Sequence, residues 1–308
     1  DQYTEAQPID CYGSAIIPGF VDSHTHIVFA GDRATEFEAR MEGIPYEAGG
    51  IQSTMMATRA ASDELLSLNA QHLAYEALCS GTTTLEVKSG YGLSVRDEER
   101  SMRVARSITS ETTFLGAHLC PTDVKQDDYV DLVVGEMLTA CLPYAKWIDV
   151  FCDRGAFSAE QSREILNAGA KAGLGTRIHA SQLGPSGAIK MGVELGVASC
   201  DHCTHITDLD IEALASASDT TVATLLPAAE LCTRGPFPDG RHMIEQGVTV
   251  ALATDCNPGS SYTTSMPFVM SLGVILMGMT PDQALWSSTQ GGAQALRRND
   301  VGNLCAGS

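Results

Sequence analysis

The feature that most restricts the fold of this chain is an alternation repeated eight times: a short apolar or β-branched run, then a stretch with helical spacing. The runs are Ala15–Asp22, Thr82–Lys88, Thr112–His118, Trp147–Cys152, Gly175–His179, Val197–His202, Thr220–Leu226 and Val248–Asp255. Most are continuously apolar, as parallel strands covered on both faces require. Between them, Ser94-x-x-Asp97, Ser158-x-x-Gln161, Thr207-x-x-Asp210 and Thr280-Pro281-Asp282-Gln283 read as capping boxes. Gly81, Gly173, Gly196 and Gly247 stand where helices must stop before the next strand. Strand followed by helix, eight times over, predicts an α/β fold of the (β/α)8 barrel type, with a doubly wound open sheet as the alternative.

The 308 residues carry 19 Lys and Arg against 38 Asp and Glu, a net charge of −19. Such a surface repels phosphate backbones and anionic lipid, so neither nucleic acid nor a membrane surface is an expected partner; a small molecule is. The first residues, DQYTEAQPID, show no signal peptide, and the longest apolar stretch, residues 268–279, is too short to span a bilayer. Ten scattered cysteines read as mostly buried thiols of a reducing compartment, which predicts a cytoplasmic protein. Residues 1–17 and 299–308 read as pieces of flanking structure on either side of a barrel at 18–298.

In barrels of this type catalytic groups come from the C-terminal ends of the strands. Here the first run ends in Asp22-Ser23-His24-Thr25-His26; Lys88, His118, Asp153, His179, His202 and Asp255 end or follow six others. His24 and His26, two apart on a strand, point to one side. With His179 and Asp255 they would make a site of three nitrogens and one oxygen, suited to one divalent metal, Zn²⁺ or, as second choice, iron. Such a site hydrolyses C–N bonds by lowering the pKa of water and polarising a carbonyl, with Asp255 moving the proton. His202 reads as a histidine that hydrogen-bonds a reacting oxygen, with a core histidine or a Cys200-x-x-Cys203 metal or redox motif as alternatives. Lys88 would be the candidate if a second metal needed a bridging group.

The stretch Pro18-Gly19-Phe20-Val21-Asp22-Ser23-His24-Thr25-His26 resembles the opening motif of the amidohydrolase superfamily. The segments at residues 29–33, 86–93, 114–118, 149–152 and 253–260 are similar to the imidazolonepropionase family of histidine degradation, in that family's order. The resemblance implies a barrel with a small β-sandwich beside it, largely absent here, and hydrolysis of the lactam bond of 4-imidazolone-5-propanoate to N-formimidoyl-L-glutamate. It also implies a homodimer. By motif position His24, His26, His179 and Asp255 would hold the metal, and Asp255 and His202 would be catalytic. Arg33, Tyr91 and His118 would hold the substrate with help from Tyr46, and Asn257, Gly259 and Ser260 would lie beside the product.

Arg33 offers a fork suited to a carboxylate, its alternative being a surface ion pair with Glu36 or Glu38. Tyr91 either closes over a small ring or anchors its loop. Gln182, three residues past His179, stands where the family often has Glu; an amide orients substrate or water but takes no proton. Two other readings keep part of this picture: a heterocycle deaminase on the same metal, or a barrel that binds without turnover.

Overall fold

A computed structural model describes residue 7, residues 9–44 and residues 50–306. Nine strands appear in chain order: β1 (Phe20–Asp22), β2 (Thr82–Leu85), β3 (Val87–Lys88), β4 (Thr112–Ala117), β5 (Trp147–Cys152), β6 (Gly175–Ala180), β7 (Ser199–His202), β8 (Val222–Leu225) and β9 (Val250–Leu252). β2 and β3 are the halves of one predicted strand, interrupted at Glu86, so the expected eight positions are all filled. β1 pairs with β2, and β3 through β9 pair in sequence, every pairing parallel.

The two sheets join into a ring at both seams. Glu86 donates its amide to Asp22 and Lys88 donates to Thr25. On the other side Thr25 bridges Cys256 in parallel, His26 donates to the Cys256 carbonyl and Asp255 donates to His24. The barrel reading therefore holds and the open-sheet alternative does not. Consecutive strands lie side by side because each connection is a helix that covers the outer face on its way back.

The helices start where their caps predict. Ser158, Thr207 and Thr280 form full capping boxes with Gln161, Asp210 and Gln283. Ser94 caps its helix alone: Asp97 uses its carboxylate to accept from the Ser94 hydroxyl instead of the backbone. The main apolar core among the described residues fills the space between ring and helices, with three small clusters beside it. It includes Ile148, Ile178 and Leu252 from strands and Leu66, Ile165, Ile189 and Val269 from helices, each worth roughly 1.5–3 kcal/mol when buried. The last helix, Gly292–Ala295, lies so close to β1 that a Cβ on Gly292 would stand 2.3 Å from the Val21 carbonyl oxygen.

Two expectations need correction. The first strand begins at Phe20 rather than Ala15, because residues 14–17 find no neighbouring strand and leave Ile16 and Ile17 exposed. All ten cysteines are free, but only five are buried, so the thiols are less sequestered than expected. Among the described residues no helix is long and apolar enough to cross a membrane.

Candidate metal centre

Inward-facing positions of small barrels are usually filled by branched aliphatic side chains. Here much of the interior is ionic. Period-two alternation puts Arg177 and His179 on the same face of β6, and strand register sets His179 opposite Asp201 of β7. Lys88, Arg177, Asp149, Asp201 and Glu86 are all fully buried. The Lys88 ammonium lies 3.0 Å from Glu86 and 2.9 Å from Asp149, and Arg177 lies 3.3 Å from Asp201. Against the burial that opposes charge, these pairings hold Lys88 above its usual pKa and Asp149 and Asp201 below theirs. Lys88 is therefore a buried ion-pair centre and not a bridging metal ligand at the rim.

Above this layer stand the histidines. Asp201 is ionised and can only accept, so His24 donates Nδ1–H to it at 2.7 Å. His179 donates Nδ1–H to Asp149 at 3.1 Å in the same way. Both rings then turn bare Nε2 lone pairs upward. The His26 Nε2 lies 3.2 Å from that of His24, 3.4 Å from that of His179 and 3.4 Å from Asp255 Oδ1. His24 Nε2 is 3.6 Å from the same carboxylate oxygen. One hydrogen on His26 could not serve three acceptors, so the convergence calls for a cation.

The separations measured from His26 agree with that, and the ligand atoms fall into two groups, His24 with His26 and His179, and His24 with His202 and Asp255. Tetrahedral ligands about 2.0–2.1 Å from an ion stand about 3.3 Å apart. Burial also pushes the pKa of His24 and His26 well below the usual value, leaving neutral imidazoles able to coordinate. It raises the Asp255 carboxyl well above the carboxylate range, with Glu230 adding to the effect, and a cation beside Asp255 would remove that penalty.

Five of the eight histidines meet at this end of the barrel, as the strand ends implied. His118 stacks on His26 with ring centroids 5.3 Å apart, and His202 lies 5.3 Å from His179. Burial, with His179 beside it, lowers His118 to a pKa of about 3, so it too is neutral. His202 offers a second grouping of ligand atoms with His24 and Asp255. His202, Cys203, Ser181 and Asp255 all have positive φ, between 52° and 76° (Asp255 being 52°), at or just past the ends of β6, β7 and β9. Left-handed backbone at such residues costs on the order of 1–3 kcal/mol each, and two of them, His202 and Asp255, line the site.

The pocket over these rings is lined by His26, Arg33, Tyr91, His118, Gln182, His202, Asp255, Asn257 and Ser260, with Ile51 and Phe151. Asn257 accepts from the Gly259 and Ser260 amides at 2.8 and 2.7 Å, which shapes the loop beside Asp255. Gly259 itself faces the neighbouring cavity, and a Cβ there would run into Arg33. Arg33 makes the ion pair of its second sequence reading, with Glu36 through Nε at 2.9 Å and through Nη2, and it is 5% exposed at the pocket wall. Tyr91 is likewise both buried and lining. Tyr46 lies outside the described residues. Asp153 accepts from the Leu183 amide and serves the loop rather than the centre.

Sequence reasoning missed Asp149, Asp201 and Glu230. The signal for Asp149 was an acid inside an otherwise apolar strand, and for Asp201 an acid directly before a strand-end histidine. Glu230 had none, since it follows a strand whose end carries no charge.

Comparison with known proteins places this geometry in context. Residues 15–308 match the amidohydrolase family. A relative from Salinispora tropica named imidazolonepropionase is 62% identical over 302 residues, covering 97% of this chain and 77% of its own length. One of the same name from Mycolicibacterium smegmatis is 59% identical, covering 97% and 76%. Among solved structures, guanine deaminase from C. acetobutylicum superposes with a TM-score of 0.68 at 15% identity over 98% of this chain and 78% of that one. A triazine hydrolase variant gives 0.70 at 17% identity, over 94% and 72%. These two likenesses speak to the fold alone.

Proposed function

Because the chain belongs to the amidohydrolase family, and within it to the imidazolonepropionases, we infer that it hydrolyses the cyclic amide bond of 4-imidazolone-5-propanoate, giving N-formimidoyl-L-glutamate. The observation that carries this reading is that His26, His179 and Asp255 line one pocket with Arg33, with the His24 Nε2 3.2 Å from His26 and 3.6 Å from Asp255 behind them. A ring carbonyl and a carboxylate arm are thereby offered partners at opposite ends of a small space.

We take the four donors as ligands of one divalent metal, Zn²⁺ first and iron second, since imidazole and carboxylate suit both. Bound there, the ion supplies a water of lowered pKa and polarises the ring carbonyl. The protein does the rest. Asp255 presents Oδ1 to the histidines, leaving Oδ2, 3.4 Å from the Ser260 hydroxyl, to take the water's proton and return it to the leaving nitrogen. His202, kept neutral chiefly by burial, hydrogen-bonds the carbonyl oxygen. Arg33 exchanges Glu36 for the propanoate, and Tyr91 and His118 close over the ring. Gln182 orients ring or water without exchanging a proton. The unpaired thiols suit a reducing setting such as the cytoplasm.

The test is loss of the imidazolone's ultraviolet absorbance, with formimidoylglutamate identified as product. Folded, metal-replete protein that leaves the absorbance unchanged refutes the reading.

A further inference from the structure

The pocket directly over the histidines is narrow, and two larger cavities share wall residues with it. One of about 530 Å³ shares Arg33 and Ser260, and another of about 490 Å³ shares Gln182.

The second cavity carries Glu230 in its wall. This side chain sits in the first turn of the helix Pro227–Thr233, which follows β8, and is 2% exposed. Its Oε1 accepts from the Thr204 hydroxyl at 2.5 Å, and its Oε2 has no hydrogen-bond partner among the described residues. Thr204 comes two residues after His202, so the acid lies at the catalytic end of the ring, near enough to Asp255 to perturb it. The cations on the same wall point elsewhere: Arg40 bonds the Gly259 carbonyl at 2.6 Å and Arg234 that of Met41 at 3.3 Å. Burying a carboxyl oxygen without a partner is costly, so this oxygen calls for a partner, a ligand group or a water, from the cavity it lines.

We propose that Glu230 is a specificity residue that receives the amidine edge, N–CH=N, of the substrate ring, while Arg33 receives the propanoate at the other end. This rests on the substrate reading above. The polarity fits. The substrate has a carboxylate at one end and a nitrogen base at the other, and the flanking groups are a guanidinium and a carboxyl. Burial lifts Glu230 to a pKa of about 8, so at neutral pH it carries a hydrogen to give to an unprotonated ring nitrogen. Once the ring opens, the formimidoyl group presents N–H donors to the same oxygens. Gln182, at the junction of the two spaces, adds an amide and leaves the acidic part to Glu230.

Binding of two ligands to the metal-loaded protein, followed by calorimetry, tests the assignment. N-formimidoyl-L-glutamate and N-formyl-L-glutamate share both carboxylates and differ only in nitrogen against oxygen at the one-carbon unit. Wild-type protein should prefer the formimidoyl compound by about tenfold or more, the worth of a hydrogen bond to a charged group. Glu230→Gln, which keeps the shape, should reduce that preference to within threefold. Glu230→Asp, shorter by one methylene, should keep part of it. Equal binding of the two ligands by wild type overturns the proposal, as does a preference that survives in Glu230→Gln or disappears in Gln182→Ala alone. Failure to consume imidazolone propanoate would instead remove the underlying substrate reading, a separate result.

Discussion

Replacing Asp201 by Asn isolates what the buried carboxylate under His24 contributes to metal binding. The two side chains are nearly isosteric, so the barrel keeps its packing. What changes is that Oδ2, which accepts from His24 at 2.7 Å and lies 3.3 Å from Arg177, loses its charge. A hydrogen bond to a charged acceptor is worth about 1.5–3 kcal/mol and a neutral one about 0.5–1.5, so holding the His24 ring loses about 1–1.5 kcal/mol. Independently, removing a carboxylate behind a metal-holding histidine weakens metal affinity about 10- to 100-fold. The two routes meet near tenfold or slightly above. Zinc affinity measured by competition with a chromophoric chelator at pH 7.5 should fall by that factor, with circular dichroism unchanged. A folded variant that binds zinc within threefold of wild type would refute the claim that Asp201 orients His24 for a metal.

Other consequences follow from particular residues. Arg33→Ala should raise the KM for imidazolone propanoate more than tenfold with a smaller change in kcat; an unchanged KM would detach Arg33 from the propanoate. Glu230 has its pKa raised from 4.5 to about 8 in the folded state, so its contribution to stability is fullest below about pH 4.5 and is lost as pH rises toward 8. Glu230→Gln should therefore melt higher than wild type at pH 8, by a margin of a few kcal/mol that shrinks toward pH 5. Equal melting differences at both pH values would contradict the buried neutral acid. Gly292→Ala would drive a Cβ to 2.3 Å from backbone oxygen at Val21, which no side-chain rotation relieves, and should lower the melting temperature by several degrees. Chelator treatment should abolish turnover and lower the melting temperature, and added Zn²⁺ should restore both.

The order of strands and helices was legible because it rests on local properties. Continuous apolar runs, helix caps at Ser158, Thr207 and Thr280, and stop glycines each act within a few residues. The residues converging on the centre were legible for a similar reason: once a ring of parallel strands is accepted, His24, His26, His179 and Asp255 follow from being strand ends. What lay beneath them was not. Asp201 comes under His24, and Lys88 between Glu86 and Asp149, only because inter-strand register and ring closure set them there, and a slip of one residue would turn each to the other face. Arg33 shows the same limit at the rim, since sequence offered a substrate clamp or an ion pair and packing against Glu36 made it both buried and paired. Sequence by itself determined which elements form and which chemistries their ends carry, because those depend on residue type and short-range period. Tertiary structure alone decided which buried charge meets which, including the open oxygen of Glu230, because Coulomb and hydrogen-bond energies depend on distances between residues far apart along the chain.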